Sequence, residues 1–498
     1  MSLSLFTKKS VADAQAEAER SALRRALGPF DLTTLGIGSI IGTGIFVLTG
    51  IAASRHAGPA LVISMVIAAV ACGFAGLCYA EFASMIPLAG SAYTYAYATL
   101  GELLAWIIGW DLILEYALSA STIAVGWSGY FVSLLRGLGV PFPAALSAAP
   151  GTAVRLADGT TATGVFNLPA ALIIVLVSSL LVIGIRQSAR TNTALVVIKT
   201  LVLVAFVAVG SAYVRRENLT PFVPPNTGEF GSFGWSGVLR GAGIIFFAFI
   251  GFDAVSTAAQ EARRPQRDMP LGMLLSLAIC TVLYIAVAIV LLGIVPYPRL
   301  NVPDPLAVGI DATGLTWFSP VIKVSALFGL FSTMLVQLLG QSRIFYSMSR
   351  DGLLPPVFRR VHPRFRTPHV STALTGVAVA AAAGLTPIAV LSVLVSMGTL
   401  LAFVIVCGGV LVLRRTAPDL PRPFRTPGMP WVPLVGAAAC LVQMIGLPRA
   451  TWERLVIWLV LGLAVYFLYG RAGAVRARAA RASSVDRVAD VVPEPARG

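Results

Sequence analysis

The chain has 498 residues, of which 57% are hydrophobic and only 12% charged, with a formal net charge of +15. A soluble globular protein carries about one quarter charged residues, so this composition cannot cover a soluble body of that size, and the apolar excess must face lipid. The charge does not point to nucleic acid either, because the basic residues gather in a few segments between apolar runs, which suits anionic headgroups and control of topology.

Residues 1–29 are polar and charged, and the first apolar run after them lacks a small-residue cleavage pattern, so they read as a retained cytoplasmic segment. A membrane span needs about 20 apolar residues. Twelve runs qualify: 31–53, 59–85, 93–134, 168–186, 192–214, 237–262, 271–295, 316–349, 370–387, 389–413, 431–448 and 453–470. The third is long enough to contain an interfacial or broken piece, and the eighth to tilt or continue into the cytoplasm. Lys and Arg concentrate on one side of this arrangement, from Lys8, Lys9, Arg20, Arg24 and Arg25 through Arg186 and Arg190 to Arg263, Arg264 and Arg267. The same side takes Arg350, Arg359, Arg360, Arg364 and Arg366, then Arg414, Arg415, Arg422 and Arg425, and finally the basic tail 471–498. By the positive-inside rule both termini are expected in the cytoplasm, in agreement with an even span count. The longest outer segment, 136–167, carries an Asp-Gly turn signal in "ADGTTATG" that predicts a small hairpin. The five cysteines (Cys72, Cys78, Cys280, Cys407, Cys440) all lie inside apolar runs without metal-ligand spacing, and read as packing residues. No metal or cofactor is expected.

The first run contains "GIGSIIGTGIF", residues 36–46, in which four glycines interrupt an otherwise helical pattern. The spacing is not the G-x-G-x-x-G of a dinucleotide site. Gly38 and Gly42 form a G-x-x-x-G pair suited to close helix packing. The glycines also suit a helix broken at mid-membrane, where free amides at the start of the second half hold a substrate carboxylate. Ile40, Ile41, Gly42, Thr43 and Gly44 would form that turn, with the Thr43 hydroxyl as an extra donor. Such carriers are inverted repeats, so a partner break is expected five spans later. The sixth run supplies it in "GAGIIFFAFIGFDAVSTAAQE", 241–261, interrupted at Gly251 and Asp253. Its first half would end in free carbonyls, with Phe247, Ala248 and Ile250 as candidates for a substrate ammonium.

The motifs "GIGSIIGTGIFVLTG", "YAEFASMIPLAGSAYTYAY", "FFAFIGFDAVSTAAQE", "LLGQSRIFYSMSRDGLLP" and "RPFRTPGMP" together resemble the amino acid–polyamine–organocation superfamily, and most of all the bacterial relatives of its cationic amino acid transporters. The resemblance covers roughly residues 25–470. It implies an all-α polytopic fold of 12 transmembrane helices, a LeuT-type 5+5 inverted repeat with helices 1 and 6 broken. The repeats would be 30–214 and 237–413, followed by two helices over 431–470. It also implies that Lys199 occupies the place of sodium and binds and releases the driving proton, that Tyr284 lies close to Asp253, and that Glu115 lines or gates the cavity. Gln337 falls where the family borders the side-chain pocket, often with an apolar residue. The plainer readings are a snorkelling Lys199, a Tyr284 satisfied in packing, and helix-to-helix hydrogen bonds for Glu115 and Gln337. Asp111, four residues before Glu115, shares its helix face. Glu81 and Glu102 lie near span ends and suit headgroup or inter-loop pairing.

An intramembrane enzyme would need a nucleophile–histidine pair, paired aspartates or metal spacing, yet the histidines (His56, His362, His369) lie in loops. A channel has no need of paired broken helices. The expected protein is a monomeric, proton-coupled, sodium-independent carrier of L-amino acids in the bacterial cytoplasmic membrane. The alternative is a cationic amino acid or polyamine exchanger or uniporter.

Overall fold

A computed structural model describes residues 7–8, 26–85, 91–155, 160–184 and 189–479. Most of the N-terminal segment, Arg186, the Asp158–Gly159 turn and the tail from residue 480 lie outside the described residues. The described chain is helical almost throughout, with eight helices long and apolar enough to cross a membrane. Three shorter apolar helices, Leu168–Ile183, His369–Leu385 and Trp431–Gly446, stand between them. Helix occurs in each of the twelve runs read from the sequence. Large apolar side chains such as Leu201, Val282 and Leu468 are exposed, whereas Lys199, Asp253 and Glu115 are buried. That inside-out distribution is the one a lipid solvent selects.

Local sequence explains the boundaries. Helix α1 (Pro29–Ile40) begins with Pro at its first position and with the Gly28 amide donating to Asp31 Oδ2 at 2.9 Å. It ends at Ile41, whose ψ of 94° leaves helical space. A π-helical turn, Gly44–Leu48, and a short helix α2 (Thr49–Ala52) resume it. Helix α3 (Leu61–Met85) follows. The third run is broken, as expected, into α4 (Ser91–Thr99) and the 36-residue α5 (Glu102–Gly137), with Gly101 at φ 99° between them. The outer hairpin forms from β1 (Ala153–Arg155) and β2 (Thr161–Thr163), antiparallel with Val154 opposite Ala162. Helix α6 (Leu168–Ile183) is capped by Asn167 and ends at Gly184, whose left-handed conformation costs glycine little.

Helix α7 is Ala189–Gly210. The sixth run forms α8 (Gly234–Ile245), a 3-10 turn over Phe246–Phe249, a break, and a second 3-10 stretch over Asp253–Glu261. Beyond it come α9 (Pro265–Ile294), α10 (Pro305–Asp311), α11 (Phe318–Arg350), α12 (His369–Leu385), α13 (Ile388–Thr416), α14 (Trp431–Gly446) and α15 (Arg449–Val465). Helix α5 packs along both α11 and α13, and α1 lies against α7 and α9. The two broken segments sit among these supports.

Candidate functional site

The two breaks face each other. A Cβ on Gly44 would overlap Ala248 Cα, and one on Gly251 would lie 2.8 Å from the Ser39 carbonyl. Nearer the chain's start, a Cβ on Gly36 would lie 3.0 Å from Val255 Cγ2, and Leu27 bridges to Ala262. As residue numbers rise along the first segment they fall along the second, so the two segments run past each other in opposite chain order. Gly251 has φ 119°, a conformation that L side chains rarely adopt.

At the first break, the carbonyls that end α1 are gathered by side chains from other helices. Lys199 Nζ donates to Gly38 O at 2.6 Å, to Ile41 O at 2.9 Å and to Thr333 Oγ1 at 3.4 Å. Tyr284 Oη donates to Ile40 O at 2.8 Å. Thr333 Oγ1 lies 3.0 Å from Gly38 O and 3.1 Å from Ile41 O. An ammonium at this place meets the negative end of a helix dipole and oxygen acceptors, as a bound cation would. Gly329 makes room for it, since a Cβ there would sit 3.2 Å from Lys199 Cδ.

Past the break, the first closing bond recorded runs from the Phe46 amide to Gly42 O at 3.3 Å. The amides of Gly42, Thr43 and Gly44 precede it, at a helix start where donors have no intrahelical acceptor. Thr43 Oγ1 is buried and has no hydrogen-bond partner among the described residues. Tyr130 Oη donates to Phe46 O at 2.8 Å and fixes the second half from α5. At the second break, the Ile250 amide donates to Phe247 O at 3.3 Å, so of the three carbonyls named from the sequence, that of Phe247 is engaged within its own turn.

Asp253 is buried against the backbone of Gly251 and Ala254, and Tyr116 Oη donates to its Oδ2 at 3.4 Å. Of the two tyrosines near the breaks, Tyr116 of α5 is the one bonded to Asp253, while the Tyr284 hydroxyl donates to Ile40 O. Glu115 is an electrostatic neighbour of both Asp253 and Asp111 and faces the Thr399 hydroxyl. Both carboxyl oxygens of Asp111 are buried without a hydrogen-bond partner among the described residues. Gln337 Nε2 donates to Ser119 Oγ on α5 at 2.7 Å, which is the helix-to-helix bond. Away from the breaks, Glu81 pairs with Arg414 and Arg422, and Glu102 with Arg478, so both make inter-segment ion pairs.

Three contributors were not singled out from the sequence. Thr333 and Tyr130 bond to backbone oxygens, which demand no residue pattern of their own. Tyr116 was adjacent to a named acid, Glu115, and a hydroxyl one residue from a buried carboxyl was the available signal.

The fold and the paired breaks define an all-helical, multi-pass membrane protein with a buried polar centre. A family model described as "Amino acid permease" matches residues 27–466, and the chain belongs to this family. It is 48% identical over 471 residues to the branched-chain amino acid permease BcaP of Bacillus subtilis, covering 94% of this chain and 98% of that one. It is 47% identical over 468 residues to the methylthioribose transporter of the same bacterium, with the same coverage. It is also 39% identical over 398 residues to the vacuolar cationic amino acid transporter 4 of Arabidopsis thaliana, covering 80% of this chain and 64% of that one.

Proposed function

We propose that this permease is a secondary transporter that carries L-amino acids with small or branched apolar side chains, coupled to protons and independent of sodium. The observation that carries this reading is the apposition of the two broken helices, Gly44 on Ala248 and Gly251 on Ser39. That apposition supports a site in which amide donors of one break and carbonyl acceptors of the other stand at one level, the complement of a zwitterion. The substrate carboxylate lies on the amides of Gly42, Thr43 and Gly44 with the Thr43 hydroxyl, next to Ile40 and Ile41. Its ammonium takes the carbonyls of Ala248 and Ile250, beside Phe247. Gln337, held by Ser119, borders the side chain.

Lys199, fixed on the α1 carbonyls, stands in for sodium and exchanges the driving proton, with Asp253 and Glu115 as the carboxyl partners and Tyr284 linked through Ile40. Transport proceeds by alternating access within a 12-span arrangement. Residues 30–214 and 237–413 form the inverted repeats, both termini are cytoplasmic, and the membrane is the bacterial inner membrane. The higher identity to a branched-chain permease than to a cationic transporter favours a neutral substrate.

The test is thermal stabilisation of the purified protein by each of the twenty L-amino acids and by methylthioribose, with and without sodium. A ligand at 100 times its Kd adds about 2.7 kcal/mol to apparent stability. Stabilisation by leucine, isoleucine, valine or other small neutral amino acids, indifferent to sodium, is the expected result. Stabilisation by arginine, lysine or ornithine would assign Asp253, Glu115 and Gln337 to a cationic pocket instead. A response to methylthioribose alone would overturn the zwitterion reading, because that ligand lacks both charged groups.

A further inference from the structure

The arginine-rich end of the molecule carries an open cavity of about 460 Å³, remote in sequence from the broken helices. It lies where three segments meet: the C-terminal end of α11 with Arg350, the turn Pro356–Arg359 with Arg359, and the extension of α15 through residue 479 with Tyr469 and Arg476. Three arginines from three separate segments line it, and among its described lining residues none is acidic.

The groove is built rather than assembled from loose side chains. Its floor is a backbone contact: a Cβ on Gly352, which has φ 85°, would lie 2.6 Å from the Gly473 carbonyl, and a Cβ on Gly473 would overlap the Gly352 carbonyl. The extension is held down by Arg478, which ion-pairs with Glu102, while Tyr466 Oη donates to the same carboxylate at 2.9 Å. Arg476 Nε is anchored on Ala472 O at 3.2 Å. The helical extension that carries Tyr469 and Arg476 also exposes Phe467 and Leu468, so it presents apolar side chains as well as arginines.

We propose that this groove binds the phosphate headgroup of an anionic phospholipid and so fastens the C-terminal helix to α11. Arginine forks match phosphate oxygens in pairs, and basic pockets between helices at the charged face of a membrane protein suit such headgroups. A free phosphate ion would satisfy the guanidiniums equally. The exposed Phe467 and Leu468 on the same helix favour the lipid, because a segment with apolar side chains turned outward puts the groove at the edge of the bilayer, where headgroups lie. The site is independent of the transport reading.

The experiment uses the full chain, purified in neutral detergent and stripped of lipid, with binding read by native mass spectrometry and by the thermal midpoint. The probes are cardiolipin, phosphatidylethanolamine and inorganic phosphate. Cardiolipin is expected to bind and raise the midpoint, and Arg359→Gln with Arg476→Gln to weaken it roughly 30-fold. Arg415→Gln with Arg425→Gln removes the same charge from the same end outside the groove, and should leave cardiolipin binding unchanged. Gly473→Leu, which lifts the floor while keeping every arginine, should lose the site. Equal loss in the two arginine pairs would mean diffuse attraction and overturn the proposal. Equal stabilisation by inorganic phosphate would assign a free anion and overturn the lipid.

Discussion

The Lys199 ammonium lies 2.6 Å from the Gly38 carbonyl and 2.9 Å from that of Ile41, at the end of a half-helix that no following turn satisfies. Its recorded partners are two backbone oxygens and the Thr333 hydroxyl, with no carboxylate among them. Lys199→Met leaves those oxygens with the Thr333 hydroxyl to share, and should cost roughly 2–3 kcal/mol of stability and abolish proton-driven uptake. Lys199→Ala opens a gap lined by the same oxygens, so added sodium should raise the thermal midpoint of that variant and not of the wild type. Uptake by Lys199→Met with an unaltered response to a pH gradient would remove the lysine from coupling.

The glycines of the breaks should divide by what a Cβ would meet. Gly44→Ala strikes backbone at Ala248, and Gly251→Ala strikes the Ser39 backbone from a positive φ. Neither obstacle can rotate away, so each change should cost about 2 kcal/mol or more and abolish ligand-induced stabilisation. Gly42→Ala meets nothing closer than the Thr333 methyl group at 3.3 Å and should be tolerated to within about 1 kcal/mol. Thermal midpoints of the three variants, with and without substrate, check the order.

Glu81 is buried on α3 and receives Arg414 Nε at 2.9 Å, Arg414 Nη2 at 2.8 Å and the Thr426 amide at 2.8 Å, with Arg422 Nε 3.3 Å away. Removing one partner of such a network strands the others. Glu81→Gln should therefore destabilise by roughly 3–5 kcal/mol. Arg414→Lys should not restore the wild-type midpoint, because a point charge cannot reproduce the two-pronged contact.

Asp304 precedes α10 in the loop between two spans, beside the Ser133 hydroxyl and 3.9 Å from Lys323 Nζ. Burial pushes its carboxyl above the ordinary carboxylate range, outweighing the opposite pull of Ser133 and Lys323, and Asp311 adds a smaller upward push. The folded state thus holds this proton more tightly than the unfolded chain does. Its contribution to stability is full below the unfolded value, about pH 4, and declines as pH rises through the folded value. Asp304→Asn removes that dependence, so the thermal midpoint of wild type minus variant should fall with rising pH. A flat difference would contradict the assignment.

Much of this protein is legible without coordinates because lipid imposes a simple rule on sequence. Runs of apolar residues must be helical, since unpaired backbone has no partner in hydrocarbon, and so helix occurs in every run read from the chain. Broken helices are legible for the complementary reason. Four glycines in "GIGSIIGTGIF" and the Gly251 interruption have no place in an unbroken span, and both mark departures from α-helix. The sequence therefore determined the membrane class, the helical segments and the positions of the two breaks.

The partners at those breaks were decided by tertiary structure alone. Tyr284 and Tyr116 are both tyrosines in apolar runs, and the sequence around neither one names its partner, Ile40 O for the first and Asp253 for the second. Gln337 likewise needed a partner, and only the packing of α11 on α5 names Ser119. Thr333 meets the α1 carbonyls across nearly 300 residues of chain. A hydrogen bond to backbone oxygen accepts any donor that arrives, so its identity is set by which helix face lies opposite. That is a property of packing, which periodicity along a single chain does not encode.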